Sequence, residues 1–300
     1  MRYDVVVMES AMSWSGVVDT GGVAQKWLGG VLSGGGFMDF FELRRGQAPL
    51  ILSIPHAGTE IPEDFSGCFV SDWLARKDAD WHLPALYKFA EALDATILAA
   101  CISRSVIDLN RDPSGVSLYP GQVTTGLCPV ETFDGEPLYA GQAPDEAEIA
   151  RRRALYFEPY HQALRAEIER IHRLHGRVVL YDCHSIRSRI PRLFDGELPQ
   201  FNIGTNDGKS CLPALQARVE AICAQSGFSY IVNGRFKGGW ITRHYADLAR
   251  QIQTVQMEVG CRGYMDEPAS PAPTNWPTQL NDPAPIQPVL TQILKGLLAG

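Results

Sequence analysis

Short hydrophobic runs alternate with amphipathic stretches along most of the chain. Each run is rich in Val, Ile, Leu or Tyr and has the length of a buried strand. The predicted strands cover residues 50–55, 95–103, 178–183, 230–233 and 253–259. Because helical stretches separate the strands, the pattern predicts an α/β fold with a mixed, mostly parallel sheet flanked by helices.

The clearest predicted helix covers residues 145–175. Asp145 and Glu148 have the spacing of a capping box, and Gly176 is a typical residue at a helix C-terminus. Apolar residues repeat at helical spacing on one face, and Pro159 is expected to kink or divide the helix. Two shorter helices are predicted at residues 212–226 and 288–298.

The first 36 residues differ from the rest of the chain. They contain a glycine cluster, little periodicity and no motif, whereas an ordinary start follows at Met38. We interpret residues 1–36 as a poorly structured extension upstream of that start. Residues 37–300 are then expected to form a single catalytic α/β domain.

Composition narrows the class of protein. The 300 residues are 45% hydrophobic, which is enough for a substantial core, and the formal net charge of −7 argues against nucleic acid or an anionic membrane as the main partner. No apolar run approaches the ~20 residues of a membrane span. Seven scattered cysteines without a Cys-x-x-Cys pair fit reduced thiols, and the N-terminus does not read as a secretory signal. These features predict a cytoplasmic protein.

Two histidines each end a predicted strand. His56 follows the first strand and His184 follows the third. Because ligands collect at the carboxyl ends of strands in an α/β sheet, the two imidazoles and a nearby carboxylate could form an open zinc site. Asp80 is the preferred third ligand, and Glu60 is the alternative. Each histidine alone also fits a structural role.

Glu258 lies within an apolar predicted strand. A buried carboxylate costs free energy unless it has a charged partner or a task, so Glu258 is a candidate general base or the partner of an arginine. Cys183 is a weaker candidate nucleophile, because a strand residue between Asp182 and His184 should face the core.

Two polar segments add arginines near these strand ends. The first contains Arg104, Asn110 and Arg111, and the second is a glycine-rich loop with Arg235 and Arg243. Arginine binds carboxylates through two parallel hydrogen bonds, so these residues suit a substrate with two carboxylates. Pairing with acidic residues of the protein itself is the alternative.

Five motifs together resemble the N-formylglutamate deformylase family, also called N-formylglutamate amidohydrolase. The similarity runs in order from about Met38 to Tyr264 and so covers most of the chain. It is carried by residues 53–58 (SIPHAG), 106–111 (VIDLNR), 181–188 (YDCHSIRS), 201–205 (FNIGT) and 233–239 (NGRFKGG).

The resemblance implies a metal-dependent hydrolase that converts N-formyl-L-glutamate and water to L-glutamate and formate, at the end of a histidine degradation route. It implies a fold similar to the zinc carboxypeptidase-like hydrolases and one divalent metal, expected to be zinc. His56 and His184 match the metal-binding histidines, and Glu258 matches the general base. Thr59 replaces the glutamate of the carboxypeptidases' His-x-x-Glu pair, which leaves the third ligand to be found, with Asp80 preferred.

The implied substrate fits the arginine-bearing segments. Arg104, Arg111, Arg235 and Arg243, assisted by Asn110, are the candidate groups for its two carboxylates. One alternative is a zinc carboxypeptidase or cell-wall amidase of the same fold, although a cell-wall role would favour a secretory signal. The other is a non-catalytic protein that binds amino-acid anions, against which the presence of both histidines and Glu258 argues.

Overall fold

The computed structural model describes residues 40–116, 121 and 125–299. The extension expected at residues 1–36 therefore lies outside the described residues. The strands are β1 (Phe41–Arg44), β2 (Leu50–Ile54), β3 (Thr96–Ala100), β4 (Val178–Ile186), β5 (Phe201–Gly204), β6 (Tyr230–Val232) and β7 (Ile252–Gly260).

All seven strands belong to one sheet in the order β1-β3-β2-β4-β7-β5-β6. The four central strands β3, β2, β4 and β7 are parallel, as are β5 and β6 to each other, whereas β1 pairs antiparallel with β3 and β5 pairs antiparallel with β7. The mixed, mostly parallel sheet and the five predicted strands are confirmed. Strands β1 and β5, of four residues each, were not among the predicted strands.

The helices are α1 (Asp72–Arg76), α2 (Leu83–Leu86), α3 (Glu146–Arg152), α4 (Glu158–His175), α5 (Pro213–Gln225), α6 (Trp240–His244) and α7 (Gln287–Leu298). The long predicted helix is divided as expected, because a π-helical turn separates α3 from α4 just before Pro159. Proline has no N–H to continue the hydrogen-bond ladder of the preceding turn. The predicted caps are also present: the Asp145 side chain accepts from Glu148 N, and Gly176 has a φ of 66°.

Helices cover both faces of the sheet because alternate strand residues point to opposite sides. On one face, Leu50, Leu52 and Ile54 of β2 pack in a cluster that also takes residues from α2, α5 and α7. On the other face, Ile51 joins a cluster with residues of α4. Within the described part of the chain, no helix combines the length and apolar character needed to cross a membrane.

The same alternation positions the polar residues at the carboxyl end of the sheet. His184 of β4 lies directly opposite Glu258 of β7 in the parallel register, and Asp182 lies opposite Gln256. Cys183 points the other way into the hydrophobic cluster and is fully buried. Burial raises the pKa of its thiol well above the usual range, so Cys183 is a packing residue rather than a nucleophile.

Candidate metal centre

His56, Asp80 and His184 form a buried cluster at the carboxyl ends of β2 and β4. One potential ligand atom from each lies within 4.8 Å of the others. The two imidazole rings are 4.8 Å apart, centroid to centroid, and no residue in the trio is more than 3% exposed. The structure therefore brings together the three residues that the sequence predicts as ligands. Glu60, the alternative third ligand, is exposed.

Backbone contacts fix the position of Asp80. Its N–H donates to the carbonyl oxygen of His56 at 2.9 Å, which holds the segment that contains Asp80 against the end of β2. One carboxylate oxygen, Oδ2, accepts from Ser185 N at 3.2 Å and lies 3.1 Å from His184 Nδ1. The other, Oδ1, lies 3.6 Å from a guanidinium nitrogen of Arg104.

Each histidine is held on its outer side by a second carboxylate. His56 Nε2 lies 2.6 Å from Asp108 Oδ1, and His184 Nε2 lies 3.1 Å from Asp182 Oδ2. A carboxylate only accepts hydrogen bonds when ionised, so His56 Nε2 carries the proton and the His56 Nδ1 lone pair faces the cluster. His184 lies between two carboxylates, because its Nδ1 faces Asp80, and the Asn110 amide nitrogen lies 2.8 Å from its Nε2. This arrangement of carboxylate, histidine and ligand position is typical of metal sites.

Two atoms of the cluster are buried without a hydrogen-bond partner among the described residues. They are His56 Nδ1 and Asp80 Oδ1. Buried polar atoms are seldom left unsatisfied in folded proteins, so an orphaned lone pair on each of two neighbouring groups needs an explanation. A bound cation would explain both orphaned atoms, because it would accept electron density from them and from His184 Nδ1.

The electrostatics of the cluster differ between the two imidazoles. Burial, reinforced by Arg104, lowers the pKa of His56 to about 4, so this ring is neutral and able to bind a metal near neutral pH. Burial also opposes a charge on His184, but Asp182 and Asp80 outweigh it and raise the pKa of His184 well above its usual value. A metal ion at this site must therefore replace a proton on His184.

Glu258 lies beside the cluster on β7 and faces the same cavity. Burial, opposed by His184 and reinforced by Asp80, raises the pKa of Glu258 to about 8. Its side chain is 7% exposed, and neither a hydrogen bond nor an ion pair connects it to any residue that the structure describes. The sequence left open whether Glu258 is an arginine's partner, and the described residues provide no such arginine.

A cavity of about 150 Å³ opens onto the cluster. Four arginines line it: Arg104, Arg111, Arg192 and Arg235. Arg243 does not line it, and its Nε donates instead to the carbonyl oxygen of Gly238 at 2.9 Å. Four of the five predicted substrate-binding residues thus reach the cavity, because Asn110 lines it as well.

The lining residues differ in how strongly the protein itself engages them. Arg104 is buried and bonds Asp108 at 2.8 Å, so it supports the carboxylate behind His56. Asn110 donates to Asp182 Oδ2 at 3.0 Å and accepts from Ile241 N at 2.7 Å, so it supports the carboxylate behind His184. Both contacts fit the alternative interpretation, in which these side chains pair with acidic residues of the protein itself.

Arg111 is less enclosed, with a side chain that is 22% exposed. It hydrogen-bonds Thr125 at 2.9 Å and lies 3.5 Å from Asp108. Arg235 donates through Nε to the carbonyl oxygen of Leu193 at 3.2 Å and is half-buried. Arg192 pairs with Glu131 at the edge of the cavity.

Four residues of the site were missed by the sequence reasoning: Asp108, Asp182, Arg192 and Gln256. Asp182 had a usable signal, because a residue two positions before His184 on a strand must face the same side. Asp108 lies within the VIDLNR motif, but its contact with His56, like the position of Arg192, depends on packing between distant segments.

The fold and the cluster define a class: an α/β protein with a buried His-Asp-His group that could hold a cation at the carboxyl end of a mostly parallel sheet. Comparison with known proteins then narrows the class. Residues 48–265 match the model of the N-formylglutamate amidohydrolase family. The chain belongs to this family.

Individual relatives agree with the family assignment. An N-formylglutamate deformylase of Pseudomonas aeruginosa is 45% identical over 263 residues, which cover 87% of this chain and 97% of the relative. One from Pseudomonas putida is 46% identical over 257 residues, covering 85% and 94%. The crystal structure of an N-formylglutamate amidohydrolase from Ralstonia eutropha matches with a TM-score of 0.70 at 27% identity, covering 85% of this chain and 96% of the other.

Proposed function

We propose that this protein is a metal-dependent deformylase that hydrolyses N-formyl-L-glutamate to L-glutamate and formate. The pair of orphaned ligand atoms beside an unpaired Glu258, in a cavity lined by arginines, is the observation that carries the proposal. The names of the 45–46% identical relatives support the same substrate and favour it over the other hydrolases that the sequence left open. A zinc carboxypeptidase-like architecture, a cytoplasmic location and a place in histidine degradation belong to the same proposal.

His56 Nδ1, His184 Nδ1 and the Asp80 carboxylate would hold the metal ion. Two imidazoles and one carboxylate form a ligand set that catalytic zinc sites use, so zinc is the proposed metal. When bound, such an ion lowers the pKa of a coordinated water and polarises a carbonyl group. Asp108 keeps the His56 imidazole in the tautomer that binds metal, and Asp182 helps to orient the His184 imidazole.

Glu258 is the proposed general base. It is the acidic side chain of the cavity that has no partner of its own in the described structure, and it adjoins His184 across the sheet. It would take the proton from the attacking water and deliver it to the nitrogen of the departing glutamate. A carboxyl pKa raised by burial makes this group a stronger proton acceptor than an exposed glutamate.

Arg111 and Arg235 are the proposed partners of the substrate carboxylates. Both line the cavity, and the Arg111 side chain is more exposed than that of Arg104, at 22% against 8%. The negative charges of the substrate would meet these guanidinium groups in a largely enclosed space, where charge-assisted hydrogen bonds are strong. Arg104 and Asn110 then act behind the metal ligands instead of on the substrate.

Formate release from purified protein tests the proposal. We expect N-formyl-L-glutamate to be hydrolysed, activity to disappear on removal of metal with a chelator, and zinc to restore it. Acetyl-L-glutamate serves as a control for the size of the acyl group. An active protein that contains no metal, or a zinc-loaded protein that does not release formate from N-formyl-L-glutamate, would contradict the proposal.

A further inference from the structure

Gln256 is a buried amide in the floor of the cavity that the proposed reaction does not use. It lies on β7 two residues before Glu258, so both side chains project from the same face of the strand. Both line the cavity, and Gln256 is only 4% exposed. A buried polar side chain in this position needs hydrogen-bond partners for both ends of its amide.

One end of the amide has a partner, which fixes its orientation. The backbone N–H of Gly239 donates to Gln256 Oε1 at 2.6 Å. Because a backbone N–H can only donate, the oxygen must face Gly239 and the NH₂ group must face away. Gly239 can approach this closely because it has no side chain; an added Cβ would lie 2.5 Å from the amide nitrogen of Asn110.

The other end of the amide is available to a ligand. In the described structure no acceptor is hydrogen-bonded to Gln256 Nε2, and this atom is not among the polar atoms sealed away without a partner. Since the side chain lines the cavity, its two N–H donors face the space that a substrate occupies. The fixed oxygen and the unused donors make Gln256 a preorganised binding group for an acceptor.

The spacing along β7 indicates which part of the substrate lies there. Residues two apart on a strand are about 6.6–6.8 Å apart, so the Gln256 amide lies roughly that far from the Glu258 carboxylate. The formyl carbon of N-formyl-L-glutamate is five bonds from the carbon of the side-chain carboxylate, about 6 Å when extended, but only three bonds from the α-carboxylate carbon. With Glu258 beside the formyl carbon, the side-chain carboxylate of the substrate is at the right distance to reach Gln256, and the α-carboxylate is too close to the formyl carbon to do so.

We infer that Gln256 binds the side-chain carboxylate of the substrate and contributes to the choice of an acidic side chain over its amide. The inference rests on the proposed function, because it takes Glu258 as the group beside the formyl carbon. Gln256 is a substrate-binding residue in this account, and it has no part in the proton transfers.

Gln256→Glu is the direct test, because it retains the oxygen that accepts from Gly239 and replaces the donor by an acceptor. We expect kcat/KM for N-formyl-L-glutamate to fall about 10- to 150-fold, mainly through KM, since a hydrogen bond to a charged group is lost. The ratio of kcat/KM for N-formyl-L-glutamine to that for N-formyl-L-glutamate should rise, because the substrate amide can donate to the new carboxylate. Calorimetry should show the same change in preference between L-glutamate and L-glutamine.

Gln253→Glu is the matched control. Gln253 lies on the same strand, also accepts a backbone N–H through Oε1, from Leu212 at 2.8 Å, and does not line the cavity. Gln253→Glu should leave kcat/KM unchanged for both N-formyl-L-glutamate and N-formyl-L-glutamine. Gln256→Met serves if Gln256→Glu fails to fold, and it should reduce the preference for glutamate over glutamine.

The outcomes separate this inference from the proposed function. Wild-type protein that releases no formate from N-formyl-L-glutamate would overturn both. Active wild-type protein with an unchanged glutamate preference in Gln256→Glu and Gln256→Met would overturn only the role of Gln256. Equal losses on both substrates would also overturn it, since they would indicate a structural role or contact with the α-carboxylate.

Discussion

The metal-centre region around His56 and the aromatic region around His161 each enclose an imidazole. His56 is 3% exposed and His161 is 4% exposed. Burial lowers the pKa of both, to about 4 for His56 and about 3 for His161. By burial and pKa alone, the two histidines are equivalent.

Their hydrogen bonds distinguish them. His161 Nε2 donates to the Leu109 carbonyl oxygen at 2.9 Å, and its Nδ1 accepts from the Tyr245 hydroxyl at 3.0 Å. Aromatic rings surround it, with Trp240 at 4.6 Å between centroids, so it is a satisfied packing residue. His56 instead has one bonded nitrogen and one buried nitrogen without a hydrogen bond. An unsatisfied atom, and not an unusual pKa, therefore identifies the functional region.

Glu258→Gln should have the largest effect on catalysis. The substitution retains the shape of the side chain but removes the proton acceptor, so kcat should fall ~10²–10⁴-fold with little change in KM. Steady-state kinetics measure kcat and KM, and metal analysis of the same preparation measures the metal content. If most of the activity survives with normal metal content, another carboxylate must be the base.

Asp108→Asn sharpens the comparison between the two regions. It weakens the support behind His56 without removing a ligand, and loss of such an outer carboxylate is expected to reduce metal affinity ~10- to 100-fold. Tyr245→Phe is the control, because it removes the corresponding partner of His161. A competition titration with a metal chelator measures the metal affinity of both variants. Equal losses of affinity in Asp108→Asn and Tyr245→Phe would contradict the functional distinction between His56 and His161.

Arg235→Ala should weaken the binding of a charged substrate. Loss of a charge-assisted hydrogen bond predicts a decrease of about 10- to 150-fold in kcat/KM for N-formyl-L-glutamate. A neutral N-formyl amino acid should lose far less. Arg243→Ala, in the following helix α6 but outside the cavity lining, should change kcat/KM little for either substrate. A larger loss in Arg243→Ala than in Arg235→Ala would restore Arg243 as the substrate ligand.

Of these changes, deletion of residues 1–36 should have the smallest effect on stability and activity. The segment lacks hydrophobic periodicity and carries none of the family motifs, and the family match begins at residue 48. Thermal unfolding and formate release should both remain nearly unchanged. A marked loss of either would show that the segment contributes to the folded domain.

Local sequence patterns predicted the parts of the molecule that depend on strand alternation and strand ends. They gave five strands, the divided long helix and the trio His56, Asp80 and His184, because parallel strands carry their terminal residues to one edge. The same alternation indicated that Cys183 faces the core. Strands β1 and β5 were not predicted, and each pairs antiparallel with the parallel part of the sheet.

The parts that depend on contacts between distant segments could not be predicted. Arg104 and Asn110 are expected to bind the substrate and do line the cavity, but their bonds to Asp108 and Asp182 gave no signal in the sequence. The close approach of Gly239 to Asn110 likewise depends on packing between distant segments. Charge and loop composition indicate that such residues are near the site; only the packing determines what they touch.

Metal content per chain tests the central claim most directly. We predict close to one bound divalent ion per chain in wild-type protein and in His161→Gln, and far less in His56→Ala. His161→Gln can still donate to the Leu109 carbonyl oxygen, and its loss of the Tyr245 contact should lower the free energy of unfolding by about 1–3 kcal/mol without affecting the metal. A folded His56→Ala protein that retains one tightly bound ion would contradict the account.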